Sequence, residues 1–327
     1  MPRAPWLLFF VPLLSSGCSG ESEAVASGRP TGSVATAPAG GGPEGIAPPM
    51  PSASLEPLLV PPLPSSAPPP APKCPADMVL VWQPATRAGH YCVDRFEAVM
   101  VDDATGQTLS PYWPPEGGKA GYLEKVWTDQ RGSGTALEQS MPLPPLPAWQ
   151  KQKKLKPRAV SKKGVIPQAY ASGKDGALAC ESAGKRLCTM EEWKRACRGE
   201  EDRDFPYGTA YQHGVCNVVG DVHPGVLLWE NPSINHTDPR FNLVKGNKGA
   251  ALLRLTGGTP TCTSRWGDDA IYDMVGNLDE WIDDPEGTFV GAFYARGRRD
   301  GCNARVTNHT WTYADYSTGV RCCKAVE

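Results

Sequence analysis

An excess of charge of either sign is missing from the 327-residue chain. Lys and Arg number 33 against 35 Asp and Glu, a formal net charge of −2. Such a balance supplies no field to draw the chain onto nucleic acid, which is excluded as a partner. Long apolar runs are missing too. The longest, Trp6 to Leu14, is interrupted by Pro12 and falls well short of the ~20 residues that span a bilayer. A polytopic membrane protein and a coiled coil are thereby disfavoured. There is no CxxC pair, no fixed-period repeat, no nucleophile-elbow serine and no phosphate-binding glycine loop. Histidine is scarce, and the five present (His90, His213, His223, His236, His309) are dispersed, with no close pair on a helix.

What is abundant is glycine, proline and cysteine, at 35, 34 and 11 residues. Glycine and proline at this level imply a loop-dominated domain, a disordered segment, or both. Eleven cysteines point to an oxidising compartment, and their odd number leaves at least one outside any intramolecular bridge. Residues 1–18, MPRAPWLLFFVPLLSSGC, combine a short positive start, an apolar run and small residues leading into Cys18. This reads as a signal peptide. The small residues before Cys18 resemble a bacterial lipobox, although Ser15 stands where leucine is usual and Leu14 sits one position early. Lipidation of Cys18 would account for the odd cysteine. Residues 19–73 hold 14 prolines and no Phe, Trp, Tyr or His. They bury too little to offset the entropy of ordering and are expected to be a disordered tether. The expected location is extracytoplasmic, lipid-anchored to a bacterial membrane, in the periplasm or at the cell surface.

Residues 74–327 are long enough for one well-buried domain. Met78 to Trp82 and Tyr91 to Val93 read as short strands. Residues 101–150 are rich in turn formers, and Pro142–Pro147 (PLPPLP) excludes a regular helix. A helix is expected within Gln168 to Ala183, ended by Gly184. A second is announced by the capping box Thr189 and Glu192, with Met190, Trp193, Ala196 and Cys197 on one face. After Gly199 the pattern is short strands and loops, giving an α+β, loop-rich fold. The basic stretch 151–163, with no acidic residue within it, reads as a solvated insertion loop, with docking to an anionic surface as the alternative.

Four segments in order resemble the sulfatase-modifying-factor family, whose founding enzyme generates formylglycine. They are YCVDRFE at 91–97, CESAGKRLCTMEEWKRACR at 180–198 followed by FPYG at 205–208, IYDMVGNLDEW at 271–281 and GVRC at 319–322. The resemblance implies a single irregular formylglycine-generating-enzyme-like domain, a relative of C-type lectin-like folds, stapled by disulfides. Carried over by motif, it implies the bridges Cys180–Cys322 and Cys197–Cys302. Cys74–Cys92 would close a hairpin, and Cys216–Cys262 and Cys188–Cys323 complete the set. Connectivity is not fixed by sequence, and one pair left as buried thiols stays open.

The family enzyme holds Cu(I) on two thiolates, because a soft ion needs soft ligands. The matching stretch here, residues 291–301, contains no cysteine but three arginines, Arg296, Arg298 and Arg299. Copper is therefore not expected, and the arginines would favour an anion. A second branch of the family uses histidine-held iron, which the dispersed histidines do not support. The family also holds structural Ca²⁺ on a segment like 273–280. The ligands implied are the side chains of Asp273 and Glu280 with the carbonyls of Gly276 and Leu278, and a second site would begin at Asn217 and the Val218 carbonyl. The expectation is thus a membrane-anchored lipoprotein presenting a non-catalytic module for an unknown protein, peptide or glycan. The alternative is a family oxidoreductase with a displaced centre, for which Cys302 is the fallback residue.

Overall fold

The structure is a computed structural model that describes residues 72–152 and 154–327. The signal peptide, Cys18, nearly all of the tether and Lys153 lie outside the described residues.

Strands β1 (Met78–Val81), β2 (Tyr91–Asp94) and β3 (Ala98–Asp102) open the domain, followed by helices α1 (Gly117–Asp129) and α2 (Ala136–Ser140). Next come β4 (Pro157–Ser161), α3 (Gly173–Ser182), β5 (Arg186–Leu187), α4 (Met190–Arg198) and α5 (Pro224–Trp229). The remainder is short strands: β6 (Thr263–Trp266), β7 (Asp269–Tyr272), β8 (Asp279–Trp281), β9 (Phe289–Val290), β10 (Arg305–Val306), β11 (Thr318–Val320) and β12 (Cys322–Ala325). One sheet runs β1-β2-β12-β5 and a second β10-β9-β8-β11, with β3–β4 and β6–β7 as two-stranded ribbons. The fold is α+β and rich in loops.

Local sequence explains the two helices flanking β5. Ser172 and Asp175 form a reciprocal capping box at the start of α3, and Thr189 and Glu192 form another at α4. Gly199, at φ +69°, ends α4 in a left-handed conformation that glycine adopts without strain. Trp193, Ala196 and Cys197 form the buried face of α4. Helix α1 departs from the turn-rich reading of 101–150. Ala120, Leu123 and Trp127, at helical spacing, are buried and pack with Trp113. Its two opening glycines, Gly117 and Gly118, hide that pattern in the sequence.

The basic stretch departs in part from its reading as a solvated loop, because residues 157–161 form β4, paired residue for residue with β3. Three of its charges are paired across the ribbon and against α1: Lys156 and Arg158 reach Asp103 at 3.2 and 3.1 Å, and Lys151 pairs with Glu124.

Five disulfides staple the domain: Cys74–Cys92, Cys180–Cys322, Cys188–Cys323, Cys197–Cys302 and Cys216–Cys262. Consecutive strand residues point to opposite faces of a sheet. The neighbours Cys322 and Cys323 on β12 therefore reach different partners, α3 on one face and the β5–α4 turn on the other. Each of the two bridges lies in its own hydrophobic cluster.

The polar residues of the family-like motifs lock onto one another. Lys185 joins Asp94 at 2.5 Å and Asp77 at 2.8 Å, and Arg186 joins Glu192 at 2.6 Å. Glu97 accepts from the Asn277 side chain at 2.6 Å and from the Leu278 amide at 3.1 Å. Arg321 grips Glu280 at 2.7–2.9 Å and donates to the carbonyls of Asp94 and Tyr272, each at 2.8 Å. Each motif thus supplies at least one half of a scaffold contact.

Candidate functional site

The loop that would carry a copper centre begins after β9 and ends at Cys302. That residue is bonded to Cys197 of α4, so the fallback residue of the oxidoreductase alternative carries no free thiol. All ten cysteines among the described residues are paired.

The calcium ligands expected at 273–280 are arranged differently from that expectation. Glu280 accepts N–H groups from Arg321 and, at 2.6 Å, from Trp193 Nε1. Asp273 Oδ2 accepts the Gly257 amide at 2.6 Å. Ca²⁺ requires six to eight oxygen ligands, whereas these carboxylates are filled by N–H donors, and a guanidinium already provides the cation beside Glu280. No three His, Cys, Asp or Glu side chains converge as a metal site among the described residues. Glu280 is thus one half of an ion pair, and calcium at 273–280 stays what the resemblance implies. The Asn217 side chain donates to the Leu252 carbonyl at 2.9 Å and to Asn277 Oδ1 at 3.0 Å. The Asn217 carbonyl accepts the Asn277 amide at 2.8 Å, and a Cβ on Gly276 (φ +86°) would lie 2.2 Å from that oxygen. Gly276 is thus needed both for its backbone angle and for a close approach. Three buried acids surround the single guanidinium of Arg321. Burial first, and then the neighbouring charges of Asp273 and Glu280, raise Glu97 well above the usual carboxylate range. Burial raises Asp273 to about 6.

The concave surface lies elsewhere. Parallel pairing of β8 with β11 sets Asp279 opposite Thr318, and the Asp279 amide donates to the Ser317 carbonyl at 2.8 Å. Arg296 closes over this junction, its Nη2 on Asp279 Oδ2 at 2.5 Å and its guanidinium 5.0 Å from the Phe293 ring centre. Burial pushes Asp279 up to about 7 against the opposing pull of Arg296. On one side of Arg296 lies a cavity of about 290 Å³ lined by His223, His236, His309, Tyr313, Asp315 and Tyr316, among others. On the other lies one of about 340 Å³ lined by Arg298, Asp300, Arg305 and Asn308. Arg296, Val306 and Asn308 border both, so the two cavities lie side by side along a shared rim and together form the cleft.

Three histidines far apart in sequence therefore meet at one place. His223 is the N-cap of α5, its Nδ1 accepting the Gly225 amide at 3.0 Å and its Nε2 lying 2.7 Å from the Tyr316 hydroxyl. Burial, then the nearby His236, lowers His223 to about 4, so its ring is neutral at physiological pH. His236 donates Nε2–H to the Pro232 carbonyl at 2.9 Å and turns Nδ1 toward Asp315 at 3.8 Å. Asp315 is anchored by the Ser317 amide (2.8 Å) and the Tyr313 hydroxyl (2.5 Å). His309 stacks on Tyr313 with ring centres 3.8 Å apart. No local sequence signal could reveal this gathering, because loop contacts make it rather than helical or strand spacing.

Of the three arginines expected to face an anion, two border the cleft. Arg299 does not: its guanidinium sits 4.9 Å from the Tyr211 ring centre. Arg305, missed in the sequence, takes its place at the rim.

A disulfide-stapled α+β domain with cross-locked motifs and a histidine- and arginine-lined cleft defines the class. The chain matches the sulfatase-modifying factor enzyme 1-like domain over residues 146–322, more than half its length, and belongs to that family. The motif at 91–97 precedes the matched stretch, yet β2 pairs directly with β12. No curated protein matches the chain. Among solved structures it is similar to the Major Tropism Determinant I1 variant, at 14% identity and TM-score 0.38 over 79% of this chain and 54% of that one. It is also similar to CarF (12%, TM-score 0.35, 74% of this chain and 88% of that one). A third is PvdO from Pseudomonas aeruginosa (11%, TM-score 0.32, 76% and 91%). The chain spans about half the length of the Major Tropism Determinant.

Proposed function

We propose that the chain is an extracytoplasmic, lipid-anchored family member that acts as a binding module rather than as a formylglycine generator. The observation that carries this reading is the complete pairing of the ten domain cysteines, Cys302 included. Thiolate-held Cu(I) needs sulfur ligands that a disulfide does not offer. Five disulfides also fit an oxidising compartment outside the cytoplasm. No helix among the described residues is long and apolar enough to cross a membrane, so attachment rests on the lipobox-like run ending at Cys18. The membrane partner is then the bilayer itself, reached through that lipid.

Counting free thiols in the denatured, unreduced protein tests the central point. The expected count for the domain is zero, and a cysteine-containing peptide given Cu(I) and oxygen yields no formylglycine beyond the protein-free control. Two free thiols including Cys302, together with formylglycine in the peptide, would replace this reading with that of a family oxidoreductase. Mass spectrometry of the processed N-terminus, read for a diacylated Cys18, tests the anchor. An unmodified terminus would remove it.

A further inference from the structure

The hydrogen bonds of the inner cavity determine what it can read. His223 Nδ1 accepts an amide N–H, so the neutral ring carries its proton on Nε2 and donates to the Tyr316 oxygen. The phenolic proton of Tyr316 is thereby left unspent. His236 uses Nε2–H on the Pro232 carbonyl and turns Nδ1 toward Asp315 Oδ2 at 3.8 Å, so the acceptor on this wall is the Asp315 carboxylate, which also borders the cavity. The two rings lie with centres 5.7 Å apart. One donor beside one acceptor matches a hydroxyl group, which both gives and takes a hydrogen bond. A phosphate or carboxylate only accepts and would face the Asp315 carboxylate without a proton to give it.

The outer cavity has a different chemistry. Among the described residues, Arg298 and Arg305 have no acidic partner within salt-bridge distance, and only Nη2 of Arg296 is bonded. Asp300 at the mouth and Asp279 behind Arg296 offset part of this charge. The inner walls are aromatic, with Phe293 edge-on to Tyr316 at 5.5 Å and Tyr313 stacked on His309. Volumes near 300 Å³ stand at the small end of ligand pockets and suit one ring-sized unit.

We propose that this cleft holds an acidic sugar unit, its ring and hydroxyls in the histidine–tyrosine cavity and its carboxylate or sulfate on the arginine side. The assignment rests on the binding-module reading and gives it a ligand class. A polymer of such units would pass through the open ends of the cleft, with one unit seated.

The test is calorimetric titration of the full chain with tetragalacturonate. Its methyl ester, a tetraglutamate peptide and inorganic phosphate serve as parallel probes. The expected result is binding of the uronate alone, weakened about tenfold or more by Arg298→Gln with Arg305→Gln, which removes two rim charges. Tyr316→Phe weakens it about fivefold by removing one donor. Both variants keep the parent's far-ultraviolet spectrum; the arginine pair also keeps its melting point, whereas Tyr316→Phe strands His223 Nε2–H and lowers it, so its binding is read well below its own transition. Equal binding of the methyl ester, tight binding of phosphate or peptide, or no heat with the uronate overturns the proposal. Failure here and failure of the binding-module reading are separable. A chain that oxidises the cysteine peptide yet binds uronate keeps this site and loses that reading, and a thiol-free chain that ignores uronate does the reverse.

Discussion

Arg321 is the residue whose removal tests most directly how the scaffold is held. It is fully buried. Its guanidinium joins Glu280 to the carbonyls of Asp94 and Tyr272, and Glu97 and Asp273 also lie within its field. Breaking a buried ion pair from one side costs roughly 3–5 kcal/mol, because the remaining charge stays buried and unpaired. Arg321→Met keeps much of the side-chain volume, so the loss is electrostatic rather than a cavity effect. For a domain of this size, such a loss lowers the melting point by roughly 10 °C. Glu280→Gln costs less, because the two neighbouring acids continue to face the arginine. The double variant costs less than the two single losses combined. Urea unfolding at pH 7.5 with disulfides intact measures all three. A loss below about 1 kcal/mol for Arg321→Met, or strict additivity in the double variant, refutes the ion-pair account. Calcium and chelator enter the same experiment. A rise on adding calcium, reversed by chelator, is what the resemblance implies, and an unmoved midpoint in both would leave Glu280 to the ion pair alone.

Three further outcomes follow from the same geometry. Replacing Cys197 and Cys302 together by serine opens a loop with a sequence separation of 105, which costs up to about 4.7 kcal/mol by chain entropy; an unchanged urea midpoint would contradict the bridge. His223, held near 4 in the fold against about 6.5 unfolded, contributes stability that is fully present above pH 6.5. That stability drains away as pH falls toward 4, by about 2 kcal/mol after allowance for partial exposure. His223→Asn, which can still cap α5, should flatten this part of the stability–pH curve, and an unaltered slope would exclude His223 as its source. Gly276→Ala places a Cβ against the Asn217 carbonyl at a positive φ and should cost more than about 1 kcal/mol in thermal unfolding; a smaller loss would mean that the turn relaxes freely.

How far the sequence could be read depended on the range of the signal. The capping boxes at Thr189 and, within the expected helix, Ser172 are four-residue patterns, and both helices follow them. Strands β1 and β2 follow their apolar runs. Helix α1 was hidden because Gly117 and Gly118 weaken its opening, and its packing against Trp113 supplies the stability that propensity does not. The arginines of the 291–301 loop could be counted in sequence, but their directions depend on loop geometry: Arg296 turns to Asp279 and Arg299 to Tyr211. The histidines of the cleft come from residues 223, 236 and 309, and no period connects them. Motif residues were legible as motifs, but their role was not. Read alone, Asp273 and Glu280 look like oxygen ligands. Only the arrival of Arg321 from the far end of the chain makes Glu280 one half of an ion pair.

That arrival bears on function through charge. A family centre that holds Cu(I) needs thiolates and a neighbourhood that tolerates a cation. Here the corresponding loop bears Arg296, Arg298 and Arg299, while Cys302 at its end is committed to Cys197. Arginine cannot shed its charge in a protein, so it cannot make room for a metal ion as a lysine or histidine might by deprotonating. Asp279 offsets only Arg296, at 2.5 Å, and Arg298 and Arg305 keep their full charge at the rim. Reducing the Cys197–Cys302 bridge would restore two thiols without restoring copper affinity, because the arginines would still repel the ion. Titrating mildly reduced protein with Cu(I) therefore separates charge from sulfur: weak binding by the parent and stronger binding once Arg296 and Arg298 become glutamine would show that the arginines oppose copper, and equal binding would refute the charge argument.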